Sequence, residues 1–157
     1  MINAIDCYRK YGEPSKENPF MIWWDVPAKY EVNQIPKKLW CNEDIVGPLS
    51  QAFENLLTRG YMPELCTFDG CFNIRVIRGY EAKYKALIKA GKKEEAAKLM
   101  SIHSWGIAID VNAFENQLGT EGKLSDGFVK CFTDAGFDCG GNFKTRLDPQ
   151  HFQLASI

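Results

Sequence analysis

The chain has 157 residues, of which 45% are apolar and 25% charged, with 19 basic against 20 acidic side chains. That length suits one domain with its own core, and an aromatic content of 13% with balanced charge excludes a disordered chain. A net charge of −1 gives no general attraction to nucleic acid or anionic lipid, and the longest run of large apolar residues, Phe20–Trp24, falls far short of the ~20 needed to span a bilayer.

The first ten residues lack the basic-then-apolar order of a cleaved secretory signal. The expectation is a protein kept in the cytoplasm of the producing cell, monomeric, with neither nucleic acid nor membrane as partner. Six cysteines (Cys7, Cys41, Cys66, Cys71, Cys131, Cys139) include no Cys-x-x-Cys pair, so free and mostly buried thiols are expected.

In chain order, residues 1–42 carry Pro14, Pro19, Pro27 and Pro36. Prolines this frequent interrupt helices, which predicts an extended segment laid over the core by Trp23, Trp24, Tyr30 and Trp40. Ile45, Val46, Leu49, Ala52, Phe53, Leu56 and Leu57 recur at helical spacing, with Gly60 as the stop. Residues 71–78 alternate like a half-buried strand, with Phe72, Ile74 and Val76 on the core face and Asn73 and Arg75 on the other. Tyr80–Met100, rich in lysine and alanine with a central Gly91, reads as one or two short exposed helices. Gly106–Val111 returns to strand periodicity, Ser125 caps a helix ended by Gly136, and a last strand begins near His151. Strands and helices alternate without repeated strand–helix–strand units. The predicted class is therefore α+β, a single domain over 1–157 with a small antiparallel sheet flanked by helices.

The chain has two histidines, each with an aspartate nearby. If Ile107, Ile109 and Val111 share the core face of their strand, then Gly106, Ala108 and Asp110 share the opposite one, and two small residues leave an open floor beside the carboxylate. His103 can lean over that floor. Pro149 pushes Asp148 towards extended or turn geometry, and Phe152 and Leu154 turn His151 to the same polar side. Two imidazoles and a carboxylate (His103, His151 and Asp110) form a three-ligand set for zinc that leaves a fourth position for water. Asp148 is placed to act as a general base, and Arg75 to hold a carboxylate or a developing oxyanion. Read alone, Asp148 can equally be a turn residue before proline, Arg75 is better read as a surface charge on an edge strand, and Ser101 is either a local cap or a support for the site.

Together the motifs Ser101-x-His103-x-x-Gly106-x-Ala108-x-Asp110 and Asp148-x-x-His151-Phe152 resemble those of the M15 zinc peptidases. This family comprises VanY-like D-alanyl-D-alanine carboxypeptidases, D-Ala-D-Ala dipeptidases and the L-alanyl-D-glutamate endopeptidases of phage endolysins. Upstream, Phe68-Asp69-Gly70-Cys71-Phe72-Asn73-x-Arg75-x-Ile77-x-Gly79 is similar to the segment carrying the family's substrate-binding arginine, and Trp24-Asp25-Val26-Pro27 is similar to small phage-type members. The resemblance implies a compact α+β fold of the Hedgehog/DD-peptidase type. It also implies Zn2+ on His103, Asp110 and His151, Asp148 as catalytic base, and Arg75 in catalysis and substrate contact, with Ser101 and Trp105 as further substrate-binding candidates. The implied partner is a peptidoglycan peptide. The implied activity is stem-peptide hydrolysis, as an endolysin-type endopeptidase acting on the wall after release, with terminal D-alanine trimming or a non-catalytic zinc-stabilised binding domain as alternatives. Three departures stand out: Phe143 where many members carry tryptophan, His151-Phe152-Gln153 where others read His-Phe-Glu, and, the largest, a Tyr80–Met100 stretch longer than the connection expected between the arginine segment and the Ser-x-His motif, read as a helical insertion.

Overall fold

The computed structural model describes residues 1–157. Helix α1 (Ala4–Tyr11) is followed by strands β1 (Met21–Asp25) and β2 (Lys38–Asn42), the long helix α2 (Glu43–Thr58), strand β3 (Phe68–Gly70), helices α3 (Glu81–Lys89) and α4 (Lys93–Ala97), strand β4 (Ala108–Val111), helix α5 (Asp126–Thr133) and strands β5 (Phe137–Cys139) and β6 (His151–Leu154). The sheet that matters for function has the order β3-β4-β6-β5 and is antiparallel throughout. Strands β1 and β2 form a separate hairpin. This is the α+β class expected from the sequence, and no helix is long and apolar enough to cross a membrane.

One face of the four-stranded sheet meets helices α2 and α5. Ile109, Val111, Phe152 and Leu154 point into a core shared with Leu49, Phe53 and Leu56 of α2 and Phe128 and Phe132 of α5. The Phe132 ring stacks on Phe152 at 4.4 Å between centroids, directly beneath the strand that carries His151. Both helices start where short polar side chains satisfy otherwise orphaned N–H groups. Asn42 Oδ1 accepts from Asp44 N, and Ser125 Oγ accepts from Phe128 N. Glu64 in turn accepts from the backbone N and hydroxyl of Ser125 and fixes α5 to the turn after α2. All six cysteines are free and five are buried, with Cys66 exposed.

Three expectations need correction. The segment 1–42 is not simply extended. It contains α1, opened by a reciprocal cap between Asn3 and Asp6, and the β1–β2 hairpin; its prolines all fall outside these elements. Trp24 and Tyr30 pack on the core as expected, but Trp23 is 65% exposed and rests against Trp40 across the hairpin.

Residues 71–78 do not form a strand. Beyond Gly70 their backbone groups bond instead to the turn at Ile102–Trp105 and to the neck of the helical excursion: Asn73 N donates to His103 O, Ser101 N to Arg75 O and Ile77 N to Leu99 O. Ile74, assigned to the core face, is 44% exposed. Gly106 is not open floor either. It has φ +69, and a Cβ there would lie 2.9 Å from Asn42 N and from Met21 of the hairpin, so the missing side chain serves a close backbone approach.

The stacking beneath β6 supports a stability prediction. Phe132→Ala removes a fully buried ring and is expected to cost about 3–5 kcal/mol. Denaturant unfolding monitored by tryptophan fluorescence should show a lower midpoint with an unchanged slope.

Candidate metal centre

The polar face of the sheet gathers the two histidines. Register places Asp110 of β4 directly opposite His151 of β6 on one side and Gly70 of β3 on the other. A Cβ on Gly70 would meet nothing within 4 Å, so the sheet is open at the position beside Asp110. His103 arrives from a 3-10 turn, Ile102–Trp105, that precedes β4. Ser101 caps that turn through its hydroxyl, which accepts from His103 N, and Gly106 closes it with its left-handed backbone. Asn42 holds the turn from the hairpin side, donating from its side chain to Trp105 O and from its backbone N to Gly106 O.

The result is a tight cluster. His103 Nε2 lies 3.1 Å from Asp110 Oδ2, His151 Nδ1 lies 3.3 Å from Asp110 Oδ1, and the two ring nitrogens are 3.2 Å apart. His103 and His151 are buried and Asp110 is partly so. A tetrahedral ion with bonds of ~2.0–2.1 Å separates neighbouring ligands by about 3.3 Å, so the observed spacings match the edges of one coordination tetrahedron. These three residues are the group in this chain whose ligand atoms could hold a metal ion.

Hydrogen bonding outside the cluster decides which ring nitrogens carry protons. His103 Nδ1 is 2.7 Å from the carbonyl of Cys71. A carbonyl only accepts, so Nδ1 is the donor and Nε2 faces inward as a lone pair. His151 Nε2 is 3.0 Å from Gln153 Oε1, which likewise leaves Nδ1 facing inward. Lone pairs of two imidazoles and a carboxylate at these distances repel unless a positive charge stands among them. Burial alone would raise the Asp110 carboxyl. When protons rather than a cation fill the cluster, hydrogen bonds from the protonated His103 and His151 and their charge outweigh burial and hold Asp110 well below the usual carboxylate range. The donor set therefore fits a divalent cation.

Asp148 sits at the end of the loop leading into β6. Its N–H donates to Gly140 O, and its carbonyl accepts from His151 N. A Cβ on Gly140 would come within van der Waals overlap of the Asp148 carbonyl, so only glycine lets this turn close. The Asp148 carboxyl is partly buried, and its Oδ1 has no hydrogen-bond partner. Burial pushes its pKa up, while His151, His103 and Arg75 oppose the rise and Asp110 adds to it.

Arg75 is exposed, on irregular backbone rather than a strand. Ser104 fixes that backbone by accepting from Arg75 N at 3.1 Å. The Phe143 ring lies 5.8 Å from that of His151.

His103, Asp110 and His151 are thus brought together, Asp148 joins His151 through its backbone carbonyl, and Arg75 is held beside Ser104 of the His103 turn. Trp105 is not: it is 2% exposed, and its indole N–H donates to Gly12 O in the core. Ser101 uses its hydroxyl to hold the His103 turn. Sequence reasoning passed over Cys71, Ser104 and Gly140. Cys71 acts through its carbonyl, which no side-chain pattern encodes, and Gly140 acts through what it lacks.

Residues 94–154 match the model of an M15 family described as D-alanyl-D-alanine carboxypeptidase. The matched stretch contains His103, Asp110, Asp148 and His151, and the match supports an M15 family peptidase. No curated protein and no solved structure gave a significant match.

The cluster geometry predicts uptake of one divalent ion per chain. Titration with zinc against a chromophoric chelator should show a single site, and His103→Ala or Asp110→Asn should weaken it by at least 100-fold. Affinity should fall as pH falls, because protons compete for the inward imidazole lone pairs.

Proposed function

We propose that this chain is a zinc-dependent peptidase that hydrolyses peptide bonds in the stem peptides of bacterial peptidoglycan. In this reading His103, Asp110 and His151 hold the metal, Asp148 is the general base, and Arg75 contacts substrate. The observation that carries it is the conjunction of three inward lone pairs at tetrahedral spacing with a neighbouring carboxylate oxygen, Asp148 Oδ1, that is buried and unpartnered. A purely structural metal site has no use for that fourth group.

Zinc held by this set supplies Lewis acidity, polarising a scissile carbonyl and lowering the pKa of water to about 7. Asp148 takes the proton of the attacking water and returns it to the departing amine as the C–N bond breaks. Its raised pKa suits both halves of that task, since a stronger acid would hold the proton too weakly to deliver it. Arg75, exposed on backbone held by Ser104, stabilises negative charge developing on the carbonyl oxygen or binds a substrate carboxylate. Phe143 offers an apolar wall beside His151.

Within this chemistry we favour internal cleavage of the stem peptide, of the L-alanyl-D-glutamate endopeptidase type found in phage endolysins. The Trp24–Pro27 segment, similar to small phage-type members, supports it. Removal of terminal D-alanine is the second reading, favoured by the description of the matched family model. Mass spectrometry of digested muropeptides separates them: disaccharide still carrying L-alanine, released from a peptide that begins at D-glutamate, supports the first, and loss of a single D-alanine overturns it.

Asp148→Asn should leave zinc content unchanged while lowering kcat about 100- to 10,000-fold. Equal turnover by the variant would remove Asp148 from the mechanism, and absence of wall lysis by the wild type would favour a binding domain. The rate needs the deprotonated carboxylate, so its acid limb should lie above the ordinary aspartate value of about 3.9. Because burial raises this pKa in the folded chain, ionised Asp148 opposes folding at neutral pH, and the same variant should melt at a higher temperature than wild type there. Gly140→Ala should reproduce the loss of kcat with metal retained, because the added methyl displaces the Asp148 carbonyl.

A further inference from the structure

Gln153 stands where the resemblance leads one to expect glutamate, and it lies in the same strand and on the same face as His151. Both are almost fully buried, Gln153 at 3% exposure and His151 at 6%. Across the sheet, Gln153 is opposite Ala108, whose methyl leaves room for the amide. Its Nε2 donates to the carbonyl of Ile2 at 2.9 Å, and its Oε1 is 3.0 Å from His151 Nε2. The carbonyl of Ile2 can only accept. It therefore fixes the amide with nitrogen outward and oxygen towards the imidazole, and His151 must be the donor.

We propose that Gln153 is a positioning residue that keeps His151 protonated on Nε2, so that Nδ1 faces Asp110 and His103. The inference rests on reading that cluster as a metal centre, and it extends the centre to the start of the chain. Ile2 directly precedes Asn3, the cap of α1, so one amide group links the start of α1 to the orientation of His151. A glutamate at this position could accept from His151 but could not donate to Ile2, and its second oxygen would face the carbonyl. Only an amide satisfies both neighbours.

The test uses the full chain labelled with 15N-histidine, metal-free at pH 8, with long-range proton–nitrogen correlations reporting each ring's tautomer. In the wild type His151 should be protonated on Nε2 and His103 on Nδ1. In Gln153→Leu the His151 signal should shift to mixed tautomers and zinc affinity should fall about 10- to 100-fold, while His103 keeps its pattern and so reports an intact fold. In Gln153→Glu the Nε2 proton should persist, with zinc affinity no weaker than wild type.

The proposal is overturned if His151 is protonated on Nδ1 in the wild type. It is overturned equally if Gln153→Leu keeps both the Nε2 proton and full affinity, or if Gln153→Glu loses that proton. Should Gln153→Leu fail to fold, the wild-type tautomer and Gln153→Glu still decide. A wild type with the expected tautomers that takes up no zinc would refute the metal centre while supporting the orienting role of Gln153.

Discussion

Two imidazoles and a carboxylate, each turned with a lone pair inward, meet at 3.1–3.3 Å in a place from which water is mostly excluded. Such an arrangement costs free energy unless a cation sits within it, because burial weakens the dielectric screening that would otherwise relieve the repulsion. The surrounding fold is built to hold it. Cys71 O and Gln153 Oε1 take the outward ring protons, and an antiparallel register sets Asp110 against His151. An apolar layer of Phe152, Phe132 and Ile109 anchors the strands from beneath.

The elements farthest from the sheet in sequence serve the same centre. The β1–β2 hairpin reaches it through Asn42, whose buried side chain caps α2 and also grips the turn bearing His103. Gly106 lets the hairpin backbone approach that turn. Helix α1 reaches it through Ile2 and Gln153. Each link is a backbone carbonyl or amide used as a fixed partner, which places a ligand more rigidly than a long flexible side chain could.

The helical excursion at Tyr80–Met100 behaves differently. Helix α3 buries none of its residues, whereas Ala96, Ala97 and Met100 close the base of the excursion against the body. Arg9–Glu94 and Glu13–Lys93 ion pairs join it to α1 and the loop after it, and all four side chains are well exposed. Pairs of this kind contribute little to stability, so the apolar base rather than the charges sets the position of the excursion.

The sequence by itself determined the α+β class and pointed to His103, Asp110 and His151 as one cluster with Asp148 nearby. Those features are written in residue types at short spacing: strand alternation sends Asp110 and His151 to one face, and caps such as Ser125 mark helix starts. Tertiary structure alone decided where Trp105 goes, since a tryptophan beside a ligand fits a cleft or a core equally well until its indole finds Gly12 O. It also decided that residues 71–78 keep only a single bridge, Val76 to Met100, because their backbone partners are the His103 turn and the neck of the helical excursion rather than a strand. The roles of Gly140, Gln153 and the Cys71 carbonyl were hidden for the same reason: each depends on a neighbour that only the folded chain brings within reach.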